Sequence, residues 1–160
     1  MVRGALRFLA VVTAAVAASG PALAADAYSD NRSDAAAVVR SYYNAVNRHE
    51  YARAYGYFGQ NQAPSAYDAF VKGYANTTHV EVAIGKALSD GAAGSIYYTL
   101  PVAIDARDSK GGHKQFAGCY VLRLVQPTIQ EPPFEGMHIE KGGLKPTKGA
   151  LKAILPRCDN

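Results

Sequence analysis

The chain has 160 residues, of which 17 are Lys or Arg and 13 are Asp or Glu, with 11 tyrosines and no tryptophan. Its length suits one domain built around a single core. The small charge excess and the lack of a basic cluster interleaved with aromatic residues argue against nucleic-acid binding.

The N-terminus has the three-part pattern of a secretory signal peptide. Arg3 and Arg7 precede an apolar run over residues 8–18, and a Gly-Pro break and small residues follow. The run is shorter than the roughly 20 residues that cross a bilayer, so we expect cleavage and no membrane span. The protein is therefore expected to be periplasmic or secreted, with a signal peptide over 1–24, a loose leader over 25–32 and one domain over 33–160.

Three helices are predicted in the first half of the mature chain. Ser33 is a good N-cap, and apolar residues at three- and four-residue steps then form one stripe up to a break at 47–50. A second short helix follows over 51–58, and a third begins at Pro64 and ends near Asn76.

From His79 onward the spacing of apolar residues changes from helical to alternating. Asp90-Gly91 and Gly94 are expected to form a turn, and the strand over 116–125 is apolar on both sides and therefore central. The loop over 127–136 is longer than a hairpin needs and is placed to cross a pocket mouth. Helices followed by an antiparallel meander predict an α+β fold, with three N-terminal helices packed on a curved antiparallel sheet of about four strands.

Cys119 and Cys158 are the two cysteines of the chain. In an exported protein such a pair predicts a disulfide. No nearby pattern of His and Cys completes a metal site with them.

The layout and the aromatic placement resemble the nuclear transport factor 2-like superfamily, which includes ketosteroid isomerases and SnoaL-like polyketide cyclases. The resemblance is carried by VVRSYYNAVNRHEYARAYGYF at 38–58, AYDAFVKGYANT at 66–77 and FAGCYVLRLV at 116–125. It implies a cone-shaped fold with a pocket between the first helices and the concave face of the sheet. Because the family holds both enzymes and non-catalytic members, the resemblance does not choose a reaction.

The isomerases of that family use an Asp as base. Asp105 is the only carboxylate within the long alternating strand, and it shares a face with Thr99 and Arg107 rather than with the apolar set. We therefore expect Asp105 to point away from the pocket, and we assign no catalytic residue.

Tyrosines at positions predicted to face inward are the candidate ligand-binding residues. A buried phenol usually needs a hydrogen-bond partner. Either these side chains line a pocket for a small, partly apolar molecule, or they are core packing whose hydroxyls reach backbone carbonyls or solvent. The set is Tyr42, Tyr43, Tyr55, Tyr98 and Tyr120.

Two predicted strands carry a His-x-Glu pair, His79 with Glu81 and His138 with Glu140. Residues two apart on a strand share a face, so neighbouring strands would bring four metal ligands together. Both pairs alternate with the apolar set, however, which predicts solvated side chains. We expect no metal and no cofactor.

The leading hypothesis is a non-catalytic binding domain with a tyrosine-lined pocket for a small molecule. One alternative is an isomerase or lyase acting on a hydrophobic carbonyl compound, with a tyrosine as acid and Asp105 or a histidine as base. The other is a protein-interaction module that uses the 127–136 loop or the open sheet face, and that face would also allow a homodimer.

Overall fold

The computed structural model describes residues 26–60 and 62–159. The predicted signal peptide lies outside these residues. Within them, three helices precede five strands, and the predicted α+β class with an antiparallel sheet is confirmed. The elements are α1 (Ala35–Asn47), α2 (Tyr51–Tyr55), α3 (Tyr67–Tyr74), β1 (Thr77–Ile84), β2 (Leu88–Ala92), β3 (Ser95–Asp108), β4 (His113–Val125), a 3₁₀ turn (Pro127–Ile129) and β5 (His138–Thr147).

The sheet has the order β1-β3-β4-β5, and all its pairings are antiparallel. β2 is a strand beyond the roughly four expected. It pairs with the first residues of β3, on the same side of β3 on which β1 pairs with the later residues. Asp90-Gly91 therefore lie inside a strand. The turn is made by Ala93 and Gly94, whose φ angles of 46° and 76° are those of the two-residue hairpin that matches strand twist.

The first helix begins one residue later than the sequence predicts. Asp34, and not Ser33, is the N-cap, because its Oδ1 accepts a hydrogen bond of 2.8 Å from the Ala37 N–H. This bond satisfies one of the free amide groups of the first turn.

The segment before α1, expected to be a loose leader, lies along the helical layer. The Asn31 N–H donates to Ser41 Oγ at 2.8 Å, and Asn44 Nδ2 donates to the Ala27 carbonyl at 2.8 Å. Arg53 of α2 donates to the Ser29 carbonyl at 2.8 Å. These bonds join residues 26–31 to both α1 and α2.

The core lies between α1 and the inner face of the sheet. Register places Leu100 beside Tyr120 and Val102 beside Gly118, with Ile139 of β5 beside Leu122. The leucines, Val102 and Ile139 are fully buried. Inner-face residues are thus the even-numbered ones of β3 and β4, as their alternation predicts.

The outer face of the sheet carries the disulfide that the sequence predicts between Cys119 and Cys158. The Gly149 N–H donates to Gln115 Oε1 at 3.0 Å, so both ends of the segment 149–158 are fixed to this face. Ala103, an outer-face residue, is fully buried. In the part of the chain that the structure describes, no helix is long and apolar enough to cross a membrane.

Candidate ligand-binding cavity

A cavity of about 770 Å³ opens between the helices and the inner face of the sheet. We call it the tyrosine cavity. Its volume lies within the range of small-molecule pockets, and its wall is mostly apolar, as in such pockets. The apolar wall includes Phe58, Ala69, Phe70, Val80, Ile104, Ala106, Phe116 and Leu144.

Four tyrosines, which we call the phenol cluster, line one part of this cavity: Tyr42, Tyr43, Tyr74 and Tyr120. They form two hydrogen-bonded pairs. The hydroxyls of Tyr43 and Tyr120 lie 2.7 Å apart, and those of Tyr42 and Tyr74 lie 2.6 Å apart. The rings of Tyr42 and Tyr43 meet edge to face at 4.7 Å, so the two pairs are neighbours.

Burial raises the pKa of every phenol in the cluster above its ordinary value, and the neighbouring hydroxyls add to the rise for Tyr42 and Tyr43. The hydroxyls therefore remain protonated at any physiological pH. They act as neutral hydrogen-bond donors and acceptors, and not as phenolates.

The cluster has more protons to donate than it uses. Each phenol carries one O–H proton, and a bond between two phenols consumes one of the two protons in the pair. Among the described residues, neither pair has a further acceptor. Each pair therefore keeps one O–H group without an acceptor among the described residues, on side chains that line the cavity.

The other end of the cavity is charged. Lys114 lies on the inner face of β4, opposite Ala106 and two residues before Phe116. Lys110, in the hairpin between β3 and β4, also lines this end, together with Asp108. We call this end the mouth, since both lysines are exposed.

The five predicted tyrosines fall in three places. Tyr42, Tyr43 and Tyr120 line the tyrosine cavity. Tyr55 lines a separate hollow of about 900 Å³ and donates its hydroxyl to the Ser65 carbonyl at 3.1 Å. Tyr98 is half-buried on the inner face beside Leu122, toward the opposite end of the sheet from the mouth.

Sequence reasoning missed two residues that line the cavity. Tyr74 is not among the five predicted tyrosines, although its spacing of four from Phe70 places both on one helix face. Lys114 precedes the predicted start of its strand. Continuing the alternation back from Phe116 would have placed it on the inner face.

The 127–136 loop does not cross the mouth of the tyrosine cavity. It follows the end of β4 that pairs with the start of β3, whereas the mouth lies at the 108–113 hairpin. Phe134 and Gly136 instead line the separate hollow, with Tyr55 and His138.

The predicted histidine pairs do not converge, because β1 and β5 lie at opposite edges of the sheet. The expectation of solvated side chains is wrong for His138, which is 5% exposed. Its ring bonds to the Gly136 carbonyl and, at 3.3 Å, to Glu140. Among residues 26–60 and 62–159, no three metal-binding side chains are close enough to hold an ion.

Asp105 lies on the outer face, as expected from its alternation. Its carboxylate bonds to His113 Nδ1 at 2.9 Å and accepts from Gln115 Nε2 at 3.1 Å. Partial burial acts to raise the Asp105 pKa, but these bonds more than offset it and the pKa lies below its usual value. The sheet thus separates this carboxylate from the phenol cluster.

Comparison with known proteins gives no relative from which a role could be inferred. No protein-family model, curated protein or solved structure matches the chain. The geometry of the tyrosine cavity is therefore the ground for a functional assignment.

Proposed function

We propose that this protein is an exported, non-catalytic binding domain that holds a small, partly apolar molecule in the tyrosine cavity. The observation that carries the proposal is the phenol cluster, which leaves two O–H donors without acceptors on side chains that line the cavity. A buried donor without an acceptor is costly, and a carbonyl, ether or hydroxyl oxygen of a ligand would satisfy it.

The layout supports the resemblance to the nuclear transport factor 2-like superfamily on which the proposal also draws. Three helices precede an antiparallel sheet, and the cavity lies between the helices and the inner face. Export is supported by the Cys119–Cys158 bond, because disulfides persist in oxidising compartments such as the periplasm. The periplasm or the cell exterior is the proposed location.

Binding is favoured over isomerase or lyase chemistry by the positions of the possible bases. Asp105 lies on the outer face, where it bonds to His113. Asp108 is the one carboxylate among the described lining residues, and its Oδ1 accepts two backbone N–H groups of its own hairpin. A base for proton abstraction beside the phenols is therefore not provided by either carboxylate.

The test uses Prodan, a neutral naphthalene dye with one ketone, whose fluorescence reports both an apolar environment and a hydrogen bond to that ketone. We expect saturable binding of one dye per chain. The same dimethylaminonaphthalene without the ketone should bind more weakly, because it cannot accept from the spare phenol.

Two variants assign the binding to the cavity. Gly73 lines it, and a Cβ added there meets no atom within 4 Å, so Gly73→Trp can fill the cavity without a clash at the backbone. This variant should abolish binding. Tyr43→Phe with Tyr120→Phe removes both hydroxyls of one pair, and with them its spare donor, and should weaken the affinity for Prodan about threefold to tenfold, the worth of one hydrogen bond. The affinity for the dye without the ketone should be unaffected.

Tyr67→Phe is the matched control, because it removes the hydroxyl of an exposed tyrosine outside the cavity. Wild-type protein that binds no Prodan would contradict the proposal. So would binding that survives Gly73→Trp. Consumption of a ketone substrate would favour the isomerase or lyase alternative.

The protein-interaction alternative is favoured by one observation, the apolar exposure of the 127–136 loop. Ile129 and Phe134 are 61% and 67% exposed. Replacing both with Ser should change the sedimentation behaviour if this loop forms a dimer through its apolar side chains. A monomer at all concentrations, in wild type and variant alike, would remove the homodimer.

A further inference from the structure

The two ends of the tyrosine cavity differ in charge, and the direction of that difference is fixed by the strand register. Along the inner face of β4, Lys114 comes first, then Phe116, then Gly118 and finally Tyr120. Six residues of extended strand span about 20 Å. The cavity therefore runs from ammonium groups at the mouth, past an aromatic ring, to neutral hydroxyls.

The mouth carries an excess of positive charge, which its neighbours offset only in part. Four of the charged residues that line the cavity are basic, and Asp108 is acidic. The Asp108 carboxylate is held by the backbone N–H groups of Lys110 and Gly112, at 2.9 and 2.8 Å, and so is bound by its own turn. Arg107 is paired with Glu81 at 3.5 Å.

The lysines remain available. Within residues 26–60 and 62–159, Lys110, Lys114 and Lys141 take part in no salt bridge. A cleft with an excess of charge of one sign concentrates ions of the opposite sign. Two of these lysines lie at the mouth, whereas Lys141 is the register partner of Val121 beside the phenol cluster. The rest of the wall at that end is uncharged.

We infer that the ligand of the tyrosine cavity is an apolar molecule with a single anionic head group. The inference rests on the proposed function. The apolar body occupies the space between the sheet and α3, and an oxygen on it accepts from the phenol cluster. The head group stays at the water boundary, next to Lys110 and Lys114, where it keeps part of its hydration and avoids the cost of burying a charge.

The test compares two dyes that share one body, neutral N-phenylnaphthylamine and anilinonaphthalene sulfonate, which adds one sulfonate. Wild-type protein should bind the sulfonate more tightly, and the preference should shrink as salt is added. The double variant Lys110→Gln with Lys114→Gln should weaken the affinity for the sulfonate dye about threefold to tenfold, the worth of two exposed charge pairs. Its affinity for the neutral dye should be unchanged.

Lys145→Gln with Lys148→Gln is the matched control. It removes the same charge from lysines that do not line the cavity. It should leave the affinities for both dyes at their wild-type values, and urea unfolding of both double variants should match wild type.

Each failure has its own meaning. If Prodan and the neutral dye bind but the sulfonate preference survives Lys110→Gln with Lys114→Gln, the inference is overturned and the proposed function stands. If the control variant loses as much of the sulfonate preference as Lys110→Gln with Lys114→Gln does, the preference is a general effect of net charge and the inference is overturned. If no dye binds, both fail. A different result would be a protein that shows no preference between the dyes and cosediments with phosphatidylglycerol vesicles only when Lys110 and Lys114 are present. That result would mean that the mouth binds a membrane surface, and it would overturn the inference.

Discussion

The aromatic ring of Tyr120 lies directly over Gly142 of the neighbouring strand. The two residues are register partners, and a Cβ on Gly142 would overlap the ring atoms of Tyr120. The absent side chain lets the ring lie across β5 with its hydroxyl bonded to that of Tyr43. A glycine on one strand thus fixes the position of a phenol on another.

Gly142→Ala should therefore destabilise the protein and disturb the cavity. The added methyl group must displace the Tyr120 ring or the strand, and such overpacking costs about 1–3 kcal/mol. Gly143→Ala is the adjacent control, because a Cβ there meets no atom within 4 Å. Urea unfolding measures both. Equal midpoints for the two variants would show that the ring moves aside at no cost.

Asp34→Ala should reduce the free energy of unfolding by about 1 kcal/mol, because it removes the bond from the Ala37 N–H to the N-cap carboxylate. Ser33→Ala should have little effect, since α1 begins after Asp34. Urea unfolding of the two single variants distinguishes them. A larger loss of free energy of unfolding for Ser33→Ala than for Asp34→Ala would show that Ser33 is the N-cap, as the sequence pattern favours.

The order of the elements was predictable because the hydrophobic period changes from helical to alternating near His79. The inner face of β3 and β4 followed from alternation alone. Ser33 and Asp34 are adjacent good N-caps, so local sequence could not choose between them.

Features set by contacts between distant residues were missed. All five residues of β2 are exposed, so the strand has no alternating signal and Asp90-Gly91 reads as a turn. His138 is buried because Gly59 approaches its ring from the segment after α2, and sequence spacing carries no information on that approach. The pairing of Tyr74 with Tyr42 likewise joins two helices.

Stability should fall steeply at high pH. The pKa of each phenol in the cluster is raised above the value of about 10 in the unfolded chain. Below pH ~10 both states hold the proton and the stabilisation is complete. Above it the unfolded chain binds fewer protons, so the free energy of unfolding falls by up to ~1.4 kcal/mol per pH unit for each phenol, until the folded-state pKa is passed.

Tyr43→Phe with Tyr120→Phe should make this fall shallower by the share of two phenols. Urea unfolding between about pH 9 and pH 11 measures the slope. Tyr67→Phe, which removes a partly exposed phenol, is the control and should keep the wild-type slope. A double variant as steep as wild type would mean that the buried pair does not titrate differently in the two states.

The Cys119–Cys158 bond closes a loop that contains all of β5. With 39 residues of separation, the chain-entropy model assigns such a bond about 4 kcal/mol of stability. The double variant Cys119→Ser with Cys158→Ser should have a free energy of unfolding that is lower by up to about this amount. A reductant should lower the free energy of unfolding of the wild-type protein in the same way.

The double variant is the control for the reductant, because adding reductant should leave its free energy of unfolding unchanged. Hydrogen exchange should locate the loss in segment 149–158, because the disulfide and the Gly149–Gln115 bond fix its two ends to the outer face. Alkylation of unfolded, unreduced protein should add no mass. A mass increase there would show free thiols and contradict the bond. Unchanged exchange in the double variant would instead mean that packing alone holds the segment on the sheet.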